Sequence, residues 1–392
     1  MNPVNDDGLD SGASQRAGQG LLIATLGLLG LGVVMVHSAA ASVAQGGEWY
    51  ARVDVRHTFF AIAAAAVLMT VWRLDFHWFF CSGKRPVKAA VLLALALGLG
   101  LLVFVPGVGH SVGGFYRWIR LGPAKYQVSF QPSELIKLAL VIFLAAWLTR
   151  PQVNTRSFLK TFMPAMLLIA ACMALIISQD FGTSMLIAAA AGMTLFLAGV
   201  PWPYLGGLVA TAGLGFYCFV FLNPYRWSRI EAMFDPWSQN NQAAYQARMS
   251  LTAIGRGGWY GQGLGKGIVK QGFLPEDTTD FLVSAFCEEW GFRGHLLLMG
   301  MVVVWTILAW RLALKAPTAF GKVVSGSLAF MIVLQMLLHI GVNLVVLPTK
   351  GIGFPFMSAG GTSLIIMAAA TAIIVSVSRS PSDGHRSLIE MN

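Results

Sequence analysis

The sequence predicts an all-α polytopic membrane protein of about ten transmembrane helices, on three observations. Apolar residues make up 56% of the 392-residue chain and charged residues only 11%, against roughly 25% charged in an ordinary soluble domain. The mean hydropathy is +0.67. The apolar residues gather into runs close to 20 residues long with few charges, the length that crosses a bilayer. A soluble multidomain enzyme cannot cover itself with so little polar surface, and a disordered chain is far more polar.

The runs fall at about 20–39, 57–73, 88–105, 135–149, 161–179, 183–200, 204–222, 282–311, 322–346 and 360–378. Polar tails, 1–19 and 379–392, flank the membrane domain 20–378, and its largest polar loop, 223–281, lies between helices seven and eight. The leader is acidic (Asp6, Asp7, Asp10) with Arg16 its one basic residue. A signal peptide starts basic, so the first run is read as an uncleaved helix. Residues 181–225 carry no charge and exceed one span; Pro201-Trp202-Pro203 splits them, because proline removes a backbone donor and turns the preceding residue out of helix. Glu288, Glu289 and Arg293 sit early in the long run 282–311, which places that end against protein rather than lipid. No internal repeat or low-complexity linker divides the chain.

The net charge is +10, from 27 Lys and Arg against 17 Asp and Glu. In a soluble protein that surplus would suggest nucleic acid. Here it points to anionic headgroups, the cytoplasmic positive bias or an anionic substrate, and no nucleic-acid partner is expected. With the N-terminus inside, thirteen basic residues fall on inner segments and fourteen on outer ones. Eleven of the outer ones cluster in 107–137 or 223–293, leaving only Arg52, Arg56 and Lys350 elsewhere. The positive-inside rule applies to short loops, so the comparison favours both termini in the cytoplasm. The outer clusters need another explanation. The four cysteines (Cys81, Cys172, Cys218, Cys287) show no metal or redox spacing and read as unpaired small hydrophobes.

Several outer segments carry candidate chemistry. Segment 107–137 is Gly-rich, then aromatic and basic, then enters a helix at Pro132-Ser133-Glu134. Lys137 shares a helix face with Glu134; the two read either as a structural ion pair or as the wall of a polar cavity. Arg117 and Arg120, interleaved with Tyr116 and Trp118, read as interfacial anchors or phosphate ligands. Asp180, alone between two apolar runs, either caps the next helix or faces the same cavity. In the large loop, Gln242–Ala253 has helical spacing ended by Gly255. The run Gly255–Gly267 fits neither a Walker A loop nor GxGxxG, and is either a close-packed turn or an anion cradle with Lys266. Asp280, the last acid before a membrane run, is either a helix cap or a partly desolvated proton acceptor. Gln335, His339 and Asn343 form a polar stripe suited to interhelical hydrogen bonds. The segment Leu347–Leu364 is irregular at membrane depth, where such backbone must line a cavity or be buried in protein.

In this order the pieces resemble the SEDS family, the membrane glycosyltransferases that include RodA and FtsW. The resemblance rests on Arg117-Trp118-Ile119 with Leu121-Gly122; Phe130-Gln131-Pro132-Ser133-Glu134-Leu135 with Lys137; Gln179-Asp180-Phe181-Gly182-Thr183; and Gly261-Gln262-Gly263-Leu264-Gly265. It continues in Leu274-Pro275-Glu276 with Thr279-Asp280-Phe281, in Glu288-Glu289 with Gly291, and in Pro348-Thr349-Lys350-Gly351 with Ser358 and Gly360-Gly361. The resemblance implies the ten-helix SEDS fold. It also implies polymerisation of lipid II into glycan strands on the outer membrane face, in partnership with a class B penicillin-binding transpeptidase and other divisome or elongasome proteins. Asp280 matches the family's catalytic aspartate, and Arg117, Glu134, Lys137 and Asp180 match residues lining the cavity beneath it. Pro348-Thr349-Lys350-Gly351 and Asp235-Pro236-Trp237 look more like the FtsW (division) branch than the RodA (elongation) branch. Two departures stand out: Asp277-Thr278 replaces the usual Ala-His, and Ala359 replaces the usual Tyr. Asp277 is thus a second carboxylate three residues from Asp280.

The chemistry expected joins a sugar 4-hydroxyl to the anomeric carbon of a growing chain, with polyprenyl diphosphate leaving. It needs a base, for which Asp280 is the candidate. It also needs positive charge on the diphosphate, for which Arg117, Lys137, Lys266 and Lys350 are candidates, alone or with a divalent cation (magnesium or manganese). Ser358 is a further substrate-binding candidate. No metal-ligand set is read. The competing readings are a lipid II flippase or ion-coupled transporter, and a scaffold for the transpeptidase.

Overall fold

The computed structural model describes residues 6–41, 48–76, 85–112, 114–122, 128–238, 242–268 and 272–378. Cys81 and the tail 379–392 lie outside the described residues. Helices stand at all ten predicted positions. They are α1 (Asp6–Ala40), α2 (Val53–Val71), α3 (Val87–Leu102), α4 (Pro132–Leu148), α5 (Met163–Ile176, entered through a π-turn at Phe158–Phe162), α6 (Phe181–Leu197), α7 (Trp202–Phe221), α10 (Leu282–Lys315), α11 (Ala319–Asn343) and α12 (Gly361–Val377). Six of these spans are long and apolar enough to cross a bilayer on length and composition, and α3, α6 and α12 are shorter apolar helices. The chain is an integral membrane protein.

Local chemistry sets the helix ends. Proline occupies the first turn of α4, α5 and α7, where its missing N–H costs nothing. Thr318 caps α11 by accepting from the Gly321 N–H at 3.0 Å. Helix α6 stops at Leu197 and α7 begins at Trp202, as the two prolines require. Helix α10 is broken at Gly291, whose backbone (φ 68°, ψ −166°) is open to glycine alone.

Helix α11 is the hub: 72% of its apolar window is buried in protein, against 11% for α7, which therefore faces lipid. One apolar core joins α1, α2, α10, α11 and α12; a second joins α3 to α6. Apolar burial alone does not drive association in lipid, so close approach and polar clips do the fixing. Gly32 of α1 lies so near the Met357 backbone that a Cβ there would sit 2.6 Å from its Cα. Buried Trp305 of α10 donates to Thr25 of α1 at 3.0 Å.

Three outer segments meet at one end of the bundle. The segment 107–137 holds a small antiparallel sheet, β1 (Gly109–Val112), β2 (Phe115–Arg120) and β3 (Ser129–Phe130), which the membrane-helix reading did not predict. Its signal was the alternation in Phe115-Tyr116-Arg117-Trp118-Ile119-Arg120, overshadowed by the surrounding apolar runs. The large loop holds two further helices, α8 (Pro224–Phe234) and α9 (Gln242–Gly257). The third segment is the irregular stretch 344–360.

Candidate active site

Helix α11 carries the polar stripe that holds the site together. Gln335 donates to the Gly353 carbonyl at 3.0 Å, and His339 Nδ1 donates to the Ile352 carbonyl at 2.7 Å. Asn343 donates to the Asp280 carbonyl at 3.0 Å, and its oxygen accepts from the Ser284 backbone (2.9 Å) and hydroxyl (2.7 Å). Three side chains one turn apart thus pin the 344–360 segment and the aspartate loop to one buried helix.

The aspartate loop is tight. Glu276 adopts a left-handed conformation (φ 60°), and its carbonyl accepts from the N–H groups of Thr279, Asp280 and Phe281 at 3.2, 2.9 and 3.1 Å. No side chain caps α10, so the Asp280 carboxylate is not spent as a cap. It packs on Gly351, where a Cβ would lie 3.1 Å from Oδ2. Burial is the main cause that pushes the Asp280 carboxyl up to about 7; Glu276 and Asp180 push the same way, and Arg229 and Arg117 oppose. Glu276 and Asp180 are thus two acids that act on Asp280.

Beside this loop lies a cleft of about 120 Å³ with Arg117, Arg226, Arg229 and Lys350 in its lining and Asp180 as its one carboxylate. Arg117 is aimed from β2, donating Nε–H to the Gln179 carbonyl at 2.6 Å, with Nη1 3.7 Å from Asp180. Asp180 does cap α6, accepting from the Thr183 N–H and hydroxyl at 3.0 and 2.8 Å, and it also lines the cleft. Burial holds the Lys350 ammonium below its usual range; its Nζ lies 4.9 Å over the Phe181 ring. Arg226 stacks 3.7 Å from the Phe219 ring centre, and Arg229 donates to the Thr349 carbonyl at 2.7 Å. Sequence reasoning passed over these two arginines. Their signal was the i, i+3 spacing on a short polar helix directly after a charge-free stretch. Four cations in a half-open, partly apolar cleft form a site for a multiply charged anion.

Other candidates fall differently. Glu134 and Lys137 form a 2.9 Å ion pair in the core, with Lys137 also donating to Gln335 at 3.1 Å. Neither lines the cleft, and both are buried in the protein. Ser358 is used as a clamp: its hydroxyl accepts from the Phe354 N–H (2.7 Å) and donates to the Thr279 carbonyl (2.6 Å). Lys266 is exposed and outside the cleft. The glycine run around it packs on α10 through two of its N–H groups: Gln262 and Gly263 donate to the Glu288 and Glu289 carbonyls at 2.9 and 3.0 Å. The Glu289 carboxylate accepts from the Ser38 hydroxyl at 2.7 Å, and Glu288 accepts from the Ile268 N–H at 3.1 Å. Among the described residues no group of three His, Cys, Asp or Glu is placed to hold a metal ion.

Fold and site together define a membrane-embedded protein with a cationic cleft and a carboxyl of raised pKa at one end of its bundle. The chain belongs to the cell cycle protein family of FtsW, RodA and SpoVE, whose model matches residues 19–383. It is 35% identical to the "Probable peptidoglycan glycosyltransferase FtsW" of Nitrosomonas europaea, over 91% of this chain and 92% of that one. It is 37% identical to the protein of the same name from Allochromatium vinosum, over 91% and 88%. Among solved structures it resembles a chain from a study of the structural coordination of polymerization and crosslinking by a peptidoglycan synthase complex. That match has a TM-score of 0.73 at 26% identity, covering 92% of this chain and 97% of the other. The Thermus thermophilus rod shape determining protein RodA gives a TM-score of 0.64 at 25% identity, covering 92% and 96%.

Proposed function

We propose that this chain is a peptidoglycan glycosyltransferase that polymerises lipid II on the outer face of the bacterial cytoplasmic membrane, with both termini inside. The observation that carries the reading is the half-buried Asp280, raised to about 7, beside a cleft of four cations. A carboxylate tuned to the ambient pH is an effective general base. Asp280 takes the proton of the incoming sugar 4-hydroxyl as its oxygen attacks the anomeric carbon of the growing chain. The bond from that carbon to the diphosphate oxygen breaks, and the polyprenyl diphosphate leaves with the electron pair. Arg117, Arg226, Arg229 and Lys350 stabilise the charge that develops on it.

The residues present fit a divalent cation in one limited way. Asp180 and Asp280 repel one another across the site, and magnesium commonly joins one or two carboxylates to substrate phosphates. Such an ion would supply further positive charge to the departing diphosphate. The curated relatives carry the name FtsW, which with Asp235-Pro236-Trp237 and Pro348-Thr349-Lys350-Gly351 supports the division branch. A class B penicillin-binding transpeptidase is the expected partner, in keeping with the peptidoglycan synthase complex among the structural neighbours.

The test is direct. Purified chain is incubated with labelled lipid II, with and without the transpeptidase, and glycan polymer is resolved by gel. Polymer that disappears in Asp280→Asn supports the reading. Wild-type polymerisation by Asp280→Asn overturns the base assignment. Lipid translocation in proteoliposomes without polymer makes the chain a transporter, and partner binding with neither activity makes it a scaffold.

A further inference from the structure

A second pocket, of about 90 Å³, lies on the far side of the sheet from the cationic cleft. Strand β2 separates the two by its own alternation: Phe115 and Arg117 line the cleft, and Trp118 lines the pocket. The other walls are Arg56 and His57 of α2, Ser129 of β3, and the start of α12 at Gly360 and Gly361.

Two features of this pocket stand independently. His57 is only 3% exposed, and neither ring nitrogen has a hydrogen-bond partner. Buried polar groups are almost always satisfied, and an imidazole always has at least one N–H to donate. The N-terminus of the 17-residue helix α12 opens into the same space, with Gly360 as its N-cap and no side chain capping it. Thr362, on that turn, is engaged beside β3: it accepts from the Gln131 N–H at 3.2 Å and donates to the Ser129 carbonyl at 3.3 Å. An uncapped helix start presents N–H groups and a partial positive charge to an anion. Arg56 adds a full positive charge to the same wall.

We propose that this pocket is a second phosphate site, holding a phosphate carried on a lipid through His57, Arg56 and the N-terminal N–H groups of α12. The volume is several times the roughly 10–15 Å³ that one water needs, so a tetrahedral oxyanion has room. The lipid origin follows from α2, which exposes Phe59 (61%) and Ile62 (63%) beside the pocket, as a lipid-facing helix does. Two sources share this chemistry: a phospholipid headgroup, and the diphosphate of a polyprenyl-linked glycan. The position favours the second, in a step that rests on the proposed function. Ala359 donates to the Thr278 carbonyl at 3.0 Å and Ser358 to the Thr279 carbonyl, so the strip that borders the pocket also holds the Asp280 loop. Joining two lipid-linked glycans requires two diphosphates, and the strip runs from the cleft wall at Gly351, on which Asp280 packs, to the pocket wall at Gly361.

The experiment counts ligands without turnover. The full chain in detergent is titrated with farnesyl diphosphate, a short polyprenyl diphosphate, and separately with phosphatidylglycerol, and bound copies are resolved by native mass spectrometry. The expected result is two diphosphates on the wild type, one on His57→Leu, and one on the cleft variant Lys350→Gln. Imidazole ¹⁵N shifts of histidine-labelled wild-type protein give a readout that needs no variant to fold: the His57 resonance moves when the second copy binds. A shift with phosphatidylglycerol alone supports the phosphate site and assigns it to the membrane lipid. One diphosphate on the wild type with an unmoved His57 resonance for both lipids overturns the inference, as does a full second copy on His57→Leu. Polymerisation of lipid II by the wild type is scored separately, so loss of this site and loss of the proposed function are distinguishable.

Discussion

The raised pKa of Asp280 makes the pH dependence of polymerisation its sharpest consequence. The perturbation is pH between 5.5 and 8.5, with Glu276→Gln as a second arm. A carboxyl titrating near 7 is ionised to about 0.1 at pH 6 and about 0.9 at pH 8, so the initial rate at low lipid II rises about tenfold over that interval. An ordinary carboxylate near its model value of 3.8 is already about 0.99 ionised at pH 6 and gives a flat profile. Removing the Glu276 charge takes away one of the causes of the shift, so its midpoint moves down. Stability gives the opposite slope. With a folded-state pKa above the unfolded one, the contribution of Asp280 to stability is fully present below about 4 and is lost as pH rises through about 7. Asp280→Asn therefore melts higher than wild type at pH 8 and alike at pH 4. The assay is initial polymerisation rate across the pH series, with melting curves of both proteins. A flat rate profile, or a midpoint that ignores Glu276, refutes the reasoning.

Three further outcomes follow from individual contacts. Gly351→Ala places a methyl 3.1 Å from the Asp280 carboxylate and lowers kcat about tenfold through misplacement of the base, with an unchanged melting temperature. Lys137→Met leaves Glu134 buried without its 2.9 Å partner and costs about 3–5 kcal/mol, most of which returns in the double variant with Glu134→Gln, read by thermal unfolding in detergent. Asn343→Ala removes the hydrogen bonds to Ser284 and to the Asp280 carbonyl; about 1–3 kcal/mol of stability is lost, and hydrogen exchange at residues 278–282 quickens.

Much of the fold was legible because lipid makes a harsh reader of sequence. A run of 20 apolar residues has one stable outcome in a bilayer, and all ten runs became helices. Asp180 and Asp280 stood out as acids at the mouths of apolar runs, with a cap or a functional role open for each, and the family resemblance was what singled out Asp280. Residues whose roles depend on what another segment brings were harder to read. Asp180 had two candidate roles and performs both, because its carboxylate reaches Thr183 while its helix end borders the cleft. Glu134 and Lys137 looked like cavity residues from their position near a span boundary, yet Gln335 of α11 closes over Lys137 and takes it into the core. Lys266 stands in a glycine run that could be a cradle or a turn; α10 supplies carbonyls for two of its N–H groups. Arg226 and Arg229 carried no motif, and only the return of the 344–360 segment across α8 gives them a common cleft with Lys350.

The charge ledger gains most from the structure. With both termini placed inside, as the sequence suggests, thirteen basic residues fall on inner segments and eleven cluster in two other regions, which left Arg52, Arg56 and Lys350 apart from both groups. The three are not alike. Arg52 is a local partner, its guanidinium 2.6 Å from buried Asp54. Lys350 joins three arginines in the cleft, and Arg56 stands with His57 at the second pocket. A targeting rule sorts charges by the side of the membrane on which they stand and is blind to what they face. Two of its three leftovers line cavities, Lys350 the cleft and Arg56 the second pocket. Under the proposed function, a multiply charged, lipid-borne ligand gives those two residues a role that orientation does not.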